Sequence, residues 1–154
     1  MRNDFSFTQQ MMKNAEELGH DPSRLPLLLL VPFVQVAWAE GTVQAGEQKA
    51  ILNFARKFNL GGHSSYERLL TWFDERPADE FFESSINDLR NLLDRLPAKQ
   101  ADRLRSILRF GCHEVAHACG PVGFMRGGSN VDRDEREQLL KLDERLGLRP
   151  SYVC

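Results

Sequence analysis

Between Ala45 and Phe58 the apolar residues Ile51, Phe54, Ala55 and Phe58 recur at intervals of three, one and three, with polar residues filling the gaps. That spacing paints one stripe along a helix, and Gly61-Gly62 supplies a stop soon after it. The same period returns along the chain with start and stop signals of its own. Ser6–Leu18 reads as a first helix closed by Gly19, and Ser64-Ser65-Tyr66-Glu67 has capping-box spacing ahead of Leu69, Leu70, Trp72 and Phe73. Residues 78–93 carry Phe81, Phe82, Ile86, Leu89, Leu92 and Leu93; Pro97 opens a helix that runs to Ala118; and residues 132–146 form a last helix closed by Gly147. The aromatic residues Phe54, Phe58, Trp72, Phe81 and Phe82 sit at helical spacing and are expected in the core.

One segment breaks the amphipathic rule. Leu25–Ala39, LPLLLLVPFVQVAWA, is apolar almost throughout, with Pro26 suited to a first turn and Pro32 a candidate kink. Apolar character on every side predicts a helix buried on every side. A membrane span needs about 20 such residues, and a secretory leader needs a basic stretch before it. The preceding residues instead mix Asp4, Glu16, Glu17 and Asp21 with Arg2, Lys13 and Arg24. The expectation is therefore one all-α domain over residues 1–154, a compact bundle of about seven helices, with no strand and no membrane span.

Composition narrows the function classes. A net charge of −2, with Lys and Arg scattered among acids, gives no electrostatic footprint for nucleic acid. The three cysteines, Cys112, Cys119 and Cys154, have no disulfide framework spacing, which points to reduced thiols and a cytoplasmic setting. The loop from Gly120 to Asn130 lacks the Gly-Lys-Ser/Thr of a phosphate loop; a partner contact and a plain insertion both stay open for it.

The chain also repeats itself. A shift of 79 positions lays Val36-Ala37-Trp38-Ala39-Glu40-Gly41 on Val115-Ala116-His117-Ala118-Cys119-Gly120. After nine inserted residues, Val43-Gln44-Ala45-Gly46-Glu47 falls on Val131-Asp132-Arg133-Asp134-Glu135, with Ile51 answering Leu139 and Leu52 answering Leu140. Each copy is a helix, a glycine stop, a connection and a second helix whose first turn carries Glu. A helical hairpin cannot bury its apolar face alone, so two related hairpins packed together make a sensible core.

The segment VAWAEGTVQAGEQKAI resembles the signature of the tellurite-resistance protein B (TerB-like) family, and the second copy is similar to that family's second hairpin, including the closing Leu-Gly-Leu. The resemblance spans about residues 27–148. It implies a helical bundle with two pseudo-twofold related hairpins, a role in bacterial stress and tellurite resistance, and a metal site built from acidic motif residues. Here those positions are Glu40, Glu47 and Glu135; where the motif would place Asp in the second copy there is Cys119.

A second pattern competes. His113-Glu114-Val115-Ala116-His117 matches the H-E-x-x-H of zinc hydrolases, in which two imidazoles one turn apart hold zinc and the Glu is the general base. The metzincin extension wants a third ligand at position 123, which is Gly123, and no strand is expected to flank a substrate cleft. Within the repeat, His113 and His117 simply occupy the places of Val34 and Trp38. At 100° per residue the two imidazoles lie about 40° apart on a face shared with Asp102, Ser106 and Arg109, opposite Leu104, Leu108 and Val115. That face is polar, and an i,i+4 pair is half of a divalent-metal site.

The expectation is a non-enzymatic TerB-like module binding zinc or another transition ion through His113 and His117, with Glu40, Glu47 and Glu135 as carboxylate candidates. The alternative is a minimal zinc hydrolase with Glu114 as base. Plain structure could explain every one of these residues: solvated histidines, and carboxylates capping helix starts after Gln44 and at Asp132. An unidentified protein partner and self-association stay open.

Overall fold

The computed structural model describes residues 2–21, 24–58, 63–118 and 133–147, without the side chains of residues 2–6, 40, 63, 64, 133–135 and 143. The described residues form seven α-helices and no strand: α1 (Arg2–Glu17), α2 (Leu25–Ala37), α3 (Ala45–Lys57), α4 (His63–Asp74), α5 (Asp79–Arg95), α6 (Ala98–His117) and α7 (Arg133–Leu146). A 3₁₀ turn, Trp38–Glu40, prolongs α2 and ends at Gly41, whose φ of 95° is a conformation that glycine adopts without strain. No helix among the described residues is long and apolar enough to cross a membrane.

Helix α2 occupies the middle of the bundle, which explains its composition. It packs against α3, α4, α5, α6 and α7, and Leu25, Leu29, Leu30, Val31, Phe33, Val34, Val36 and Ala37 are all buried. Burying each large apolar side chain contributes about 1.5–3 kcal/mol, so this one helix anchors the core. It continues through Pro32 as a single helix. The ring removes one donor from the ladder, and packing from several directions holds the helix together at that point. The other helices bury one stripe each, such as Phe82, Ile86, Leu89, Leu92 and Leu93 on α5.

The two hairpins of the sequence repeat, α2–α3 and α6–α7, pack in a reciprocal way. Helices α2 and α6 lie against one another, α3 packs on α6, and α7 packs on α2. Exchanging the hairpins exchanges these contacts. Burial follows the same correspondence: Leu25 and Leu104, Leu29 and Leu108, Phe33 and Cys112, Val36 and Val115, and Ala37 and Ala116 are buried in both helices. In the second helices, Ile51 and Leu139, Phe54 and Leu142, and Phe58 and Leu146 are buried as pairs. Leu52 and Leu140 part company, the first half-buried and the second 55% exposed.

Where α6 meets the first hairpin it has no side chain. A Cβ on Gly111 would stand 2.6 Å from the Phe33 ring and 2.8 Å from the Phe54 ring, so only glycine admits this approach. Those two rings meet edge-on with centroids 4.4 Å apart. Polar contacts fix the outer helices. Asn14 Nδ2 donates to Gln100 Oε1 across α1 and α6 at 2.8 Å. Arg145 of α7 reaches Glu83 and donates to Asn87 Oδ1, both on α5, the latter at 2.9 Å.

Two local expectations need correction. Helix α4 begins at His63, which puts Ser64 inside the first turn and displaces the capping box expected at Ser64–Glu67. Phe81 is 38% exposed at the start of α5, where the rings of Trp72 and Phe82 lie beside it with centroids 5.3 and 6.3 Å away. It forms the rim of the core and not its interior.

Candidate metal site

Helix α6 presents its chemistry through the expected division of faces. Leu104, Leu108, Cys112, Val115 and Ala116 point into the bundle, whereas Asp102, Ser106, Glu114 and His117 are exposed and Arg109 and His113 are half-buried. The periodicity of the sequence places these residues, because the polar stripe advances in steps of three and four along the helix.

The two imidazoles are neighbours. Their ring centroids lie 6.2 Å apart and their planes differ by 29°. The Nδ1 of His117 lies 2.7 Å from the carbonyl oxygen of His113, one turn back, a geometry in which Nδ1–H donates. That donation selects the tautomer with its lone pair on Nε2, the atom with which many histidines bind metals. Burial, followed by the charges of His117 and Arg109, holds the His113 imidazole below its ordinary pKa. It is therefore neutral near pH 7, the form that can act as a ligand. Its Nε2 is shielded from solvent, so the ring must turn outward to reach an external ion. The rings must also tilt together, since two nitrogens bound tetrahedrally to one zinc stand about 3.3 Å apart.

The carboxylate candidates are placed less uniformly. Glu47 is buried at 1% exposure on the first turn of α3, where its Oε1 accepts the Gln44 N–H at 2.9 Å. This is the capping role available to it from its position three residues after Gln44, and it satisfies a donor that the helix start would otherwise leave open. The side chains of Glu40 and Glu135 lie outside the described residues, as do Cys119, Asp132 and the 120–130 loop. Glu114 is exposed on α6. Among the described residues no group of three His, Cys, Asp or Glu side chains is gathered in a geometry that could hold a metal ion.

One residue of this face was not singled out by the sequence. Phe110 is 57% exposed, one turn before His113 and two turns before His117. Helix spacing is the signal that could have found it, since three residues before His113 and seven before His117 fall on the same polar side of α6, whereas the repeat points the other way, the matching Val31 being buried at 1% exposure. The divergence extends along the helix. Where α2 has buried Leu30, Val31 and Val34 and a half-buried Trp38, α6 has Arg109, Phe110, His113 and His117. Trp38 uses its indole N–H to bind the Trp72 carbonyl at 2.8 Å, tying the first hairpin to α4. Its counterpart His117 faces outward.

Two concavities elsewhere offer less. An open groove of about 610 Å³ on α5 is lined by Asp79, Glu80, Glu83, Ser84, Asn87 and Asp88, and Arg145 already pairs with Glu83. Its carboxylates are solvated, the ordinary dress of an outer helix face. A gap of about 10 Å³ among Phe7, Thr8, Met11, Leu29, Phe54 and Leu108 has Thr8 as its single polar side chain and is no site for a ligand. Comparison of the chain with models of protein families, with curated proteins and with solved structures found no match.

Proposed function

We propose that this chain is a non-enzymatic, TerB-like helical module that binds a divalent transition ion through His113 and His117 on the outer face of α6. The observation that carries the reading is the divergence between the hairpins. The inward positions of α2 and α6 match in burial, whereas the outward positions of α6 have exchanged buried aliphatic residues for two imidazoles and their neighbours. A face that structure alone does not require is a natural place for function. The resemblance to the TerB-like family supplies the wider setting, a bacterial stress response in the cytoplasm.

Within this reading His117 is the principal ligand, because the bond from its Nδ1 already fixes the ring. His113 joins by turning outward. Imidazole donors favour zinc, copper or nickel over calcium or magnesium, which prefer oxygen. Glu40 and Glu135 are the carboxylates of the family pattern that could add to the pair, and Glu47 serves the start of α3.

Elemental analysis of protein purified without chelator or affinity metal tests the proposal. A transition ion present in the wild type and lost in His117→Ala supports it. The competing zinc-hydrolase reading makes a separate demand: hydrolytic turnover that Glu114→Gln removes while zinc is retained. Absence of bound ion, with none taken up on zinc addition, refutes both and leaves a scaffold.

A further inference from the structure

Helix α1 is the counterpart of α5. The shift of 79 positions that relates the two hairpins lays Arg2–Glu17 on residues 81–96, nearly the span of α5, Asp79–Arg95. Their surroundings correspond as well. Helix α5 packs on α2, α6 and α7. In the matching way, Phe7 and Met11 of α1 line one narrow gap together with Leu29 of α2, Phe54 and Phe58 of α3, and Leu104 and Leu108 of α6. We infer that the seat of α1 is a helix-docking groove, with α1 as its displaceable cover and an acidic amphipathic helix of a partner protein as its other occupant, independently of any metal on α6.

The first observation is how α1 is held. Among the described residues, α5 approaches α2, α6 and α7 closely along its backbone, whereas α1 makes no comparable approach to any helix. The described side chains of α1 bury Phe7, Met11 and Ala15, against Phe82, Ile86, Leu89, Leu92 and Leu93 on α5. Asn14 ties α1 to Gln100, and the Arg103 guanidinium lies 4.7 Å from the centre of the Phe7 ring. A helix held by few apolar contacts opens locally at a lower cost than the rest of the fold.

The second observation is charge. Lys57 of α3 has its Nζ 5.5 Å from the centre of the Phe58 ring, and Arg103 stands across from it on α6 over Phe7. Cations therefore rim an apolar groove, and they complement carboxylates that flank an apolar stripe. Helix α5 shows the pattern that fills the corresponding seat. Its Phe82, Ile86, Leu89 and Leu93 fall at i, i+4, i+7 and i+11, among five carboxylates and two arginines. Helix α1 offers three carboxylates, Asp4, Glu16 and Glu17, against Arg2 and Lys13, and so complements the rim less fully.

The exchange breaks no covalent bond. Helix α1 lifts, the incoming stripe takes its place, and the rim cations face the new carboxylates. While α1 is down the groove is closed, so the apparent affinity is reduced by the fraction of chains that are open.

The test is hydrogen exchange read by mass spectrometry on the full chain, alone and with a synthetic peptide of the α5 sequence, DEFFESSINDLRNLLDR, as the acidic amphipathic probe. Alone, the amides of α1 should exchange at least about tenfold faster than those of α5. With the peptide, α1 should lose its remaining protection, while residues 54–58 of α3 and 104–108 of α6 keep theirs. Fluorescence anisotropy of the labelled peptide should show binding that Met11→Glu tightens at least about tenfold by opening the cover. Lys57→Glu should weaken it at least about threefold, and Ile86→Ser with Leu89→Ser in the peptide should abolish it. Equal exchange in α1 and α5, binding that leaves α1 protected, loss of protection in α5 instead, or no binding at about 1 mM peptide each overturns the inference. Affinity unchanged in Lys57→Glu overturns the acidic character of the partner. A folded Met11→Glu chain with wild-type affinity overturns the cover; should that variant lose its helical circular dichroism, the exchange of the wild-type chain decides alone.

Discussion

The hairpins α2–α3 and α6–α7 share most inward positions residue for residue, Leu25 with Leu104, Leu29 with Leu108, Val36 with Val115 and Ala37 with Ala116, and differ in size where their first helices meet. Phe33 and Cys112 fill matching buried places, and Gly111 stands where the first copy has Pro32. The first hairpin pushes large side chains toward its twin, and the second makes room for them. Outward, the helices differ: α2 exposes no residue between Leu25 and Ala37, with Leu27, Leu28 and Gln35 half-buried, while α6 exposes Phe110 and His117 and half-buries His113. The division teaches that one of two corresponding helices is enclosed by the bundle while the other presents a polar outer face. The proposed function falls on that outer face.

Substitutions can break or sharpen that contrast. The largest effect is expected in the buried pair: Phe33→Ala should cost about 3–5 kcal/mol, and Cys112→Ala about 1 kcal/mol, both read by urea denaturation. Equal losses at the two places would contradict the asymmetry. Gly111→Ala comes next. Its Cβ meets both phenyl rings, so overpacking should cost about 1–3 kcal/mol and outweigh the gain of about 1 kcal/mol from better helix propensity. A stabilised Gly111→Ala would mean that α6 does not approach the rings so closely.

Glu47→Ala should cost about 1 kcal/mol by opening the Gln44 N–H bond at the start of α3, with Glu47→Gln restoring most of it. Smaller still, Phe110→Ser should move the stability of the chain by no more than about 0.5 kcal/mol, because its ring is 57% exposed.

The smallest effect is a pH dependence. The folded chain holds His113 below its ordinary pKa, so the unfolded chain binds that proton more tightly. The stability tied to the neutral ring is complete above about pH 6.5 and is lost as the pH falls through the folded value. Denaturation midpoints at about pH 7.5 and about pH 5 should converge slightly in His113→Gln relative to wild type. A slope unchanged by the substitution would remove His113 as its source.

Much of this was readable in the chain, for reasons that differ by residue. The helices were legible because apolar stripes and glycine stops act locally: Gly19, Gly41 and Gly147 all adopt the positive φ expected where a helix closes. The central place of α2 was legible because only a surrounded helix tolerates LPLLLLVPFVQVA. The capping role of Glu47 followed from its distance to Gln44. The start of α4 was missed by two residues, His63 in place of Ser65, because Ser serves both as a cap and within a first turn. Phe81 and Phe110 were harder, because large aromatic residues at helical spacing are ordinarily buried, whereas these two are 38% and 57% exposed. The histidine face was legible as polar from helix spacing, while the shielding of His113 Nε2 depends on neighbouring atoms that spacing along one helix does not specify.

The central claim proposed is that the outer face of α6 is a transition-metal site, and a competitive zinc titration against a chromophoric chelator tests it most directly. The account predicts that wild-type chain withdraws zinc from the chelator and that His117→Ala loses this ability by about tenfold or more, while its helical circular dichroism is unchanged. Equal zinc affinity in the two proteins, or none in either, would contradict it.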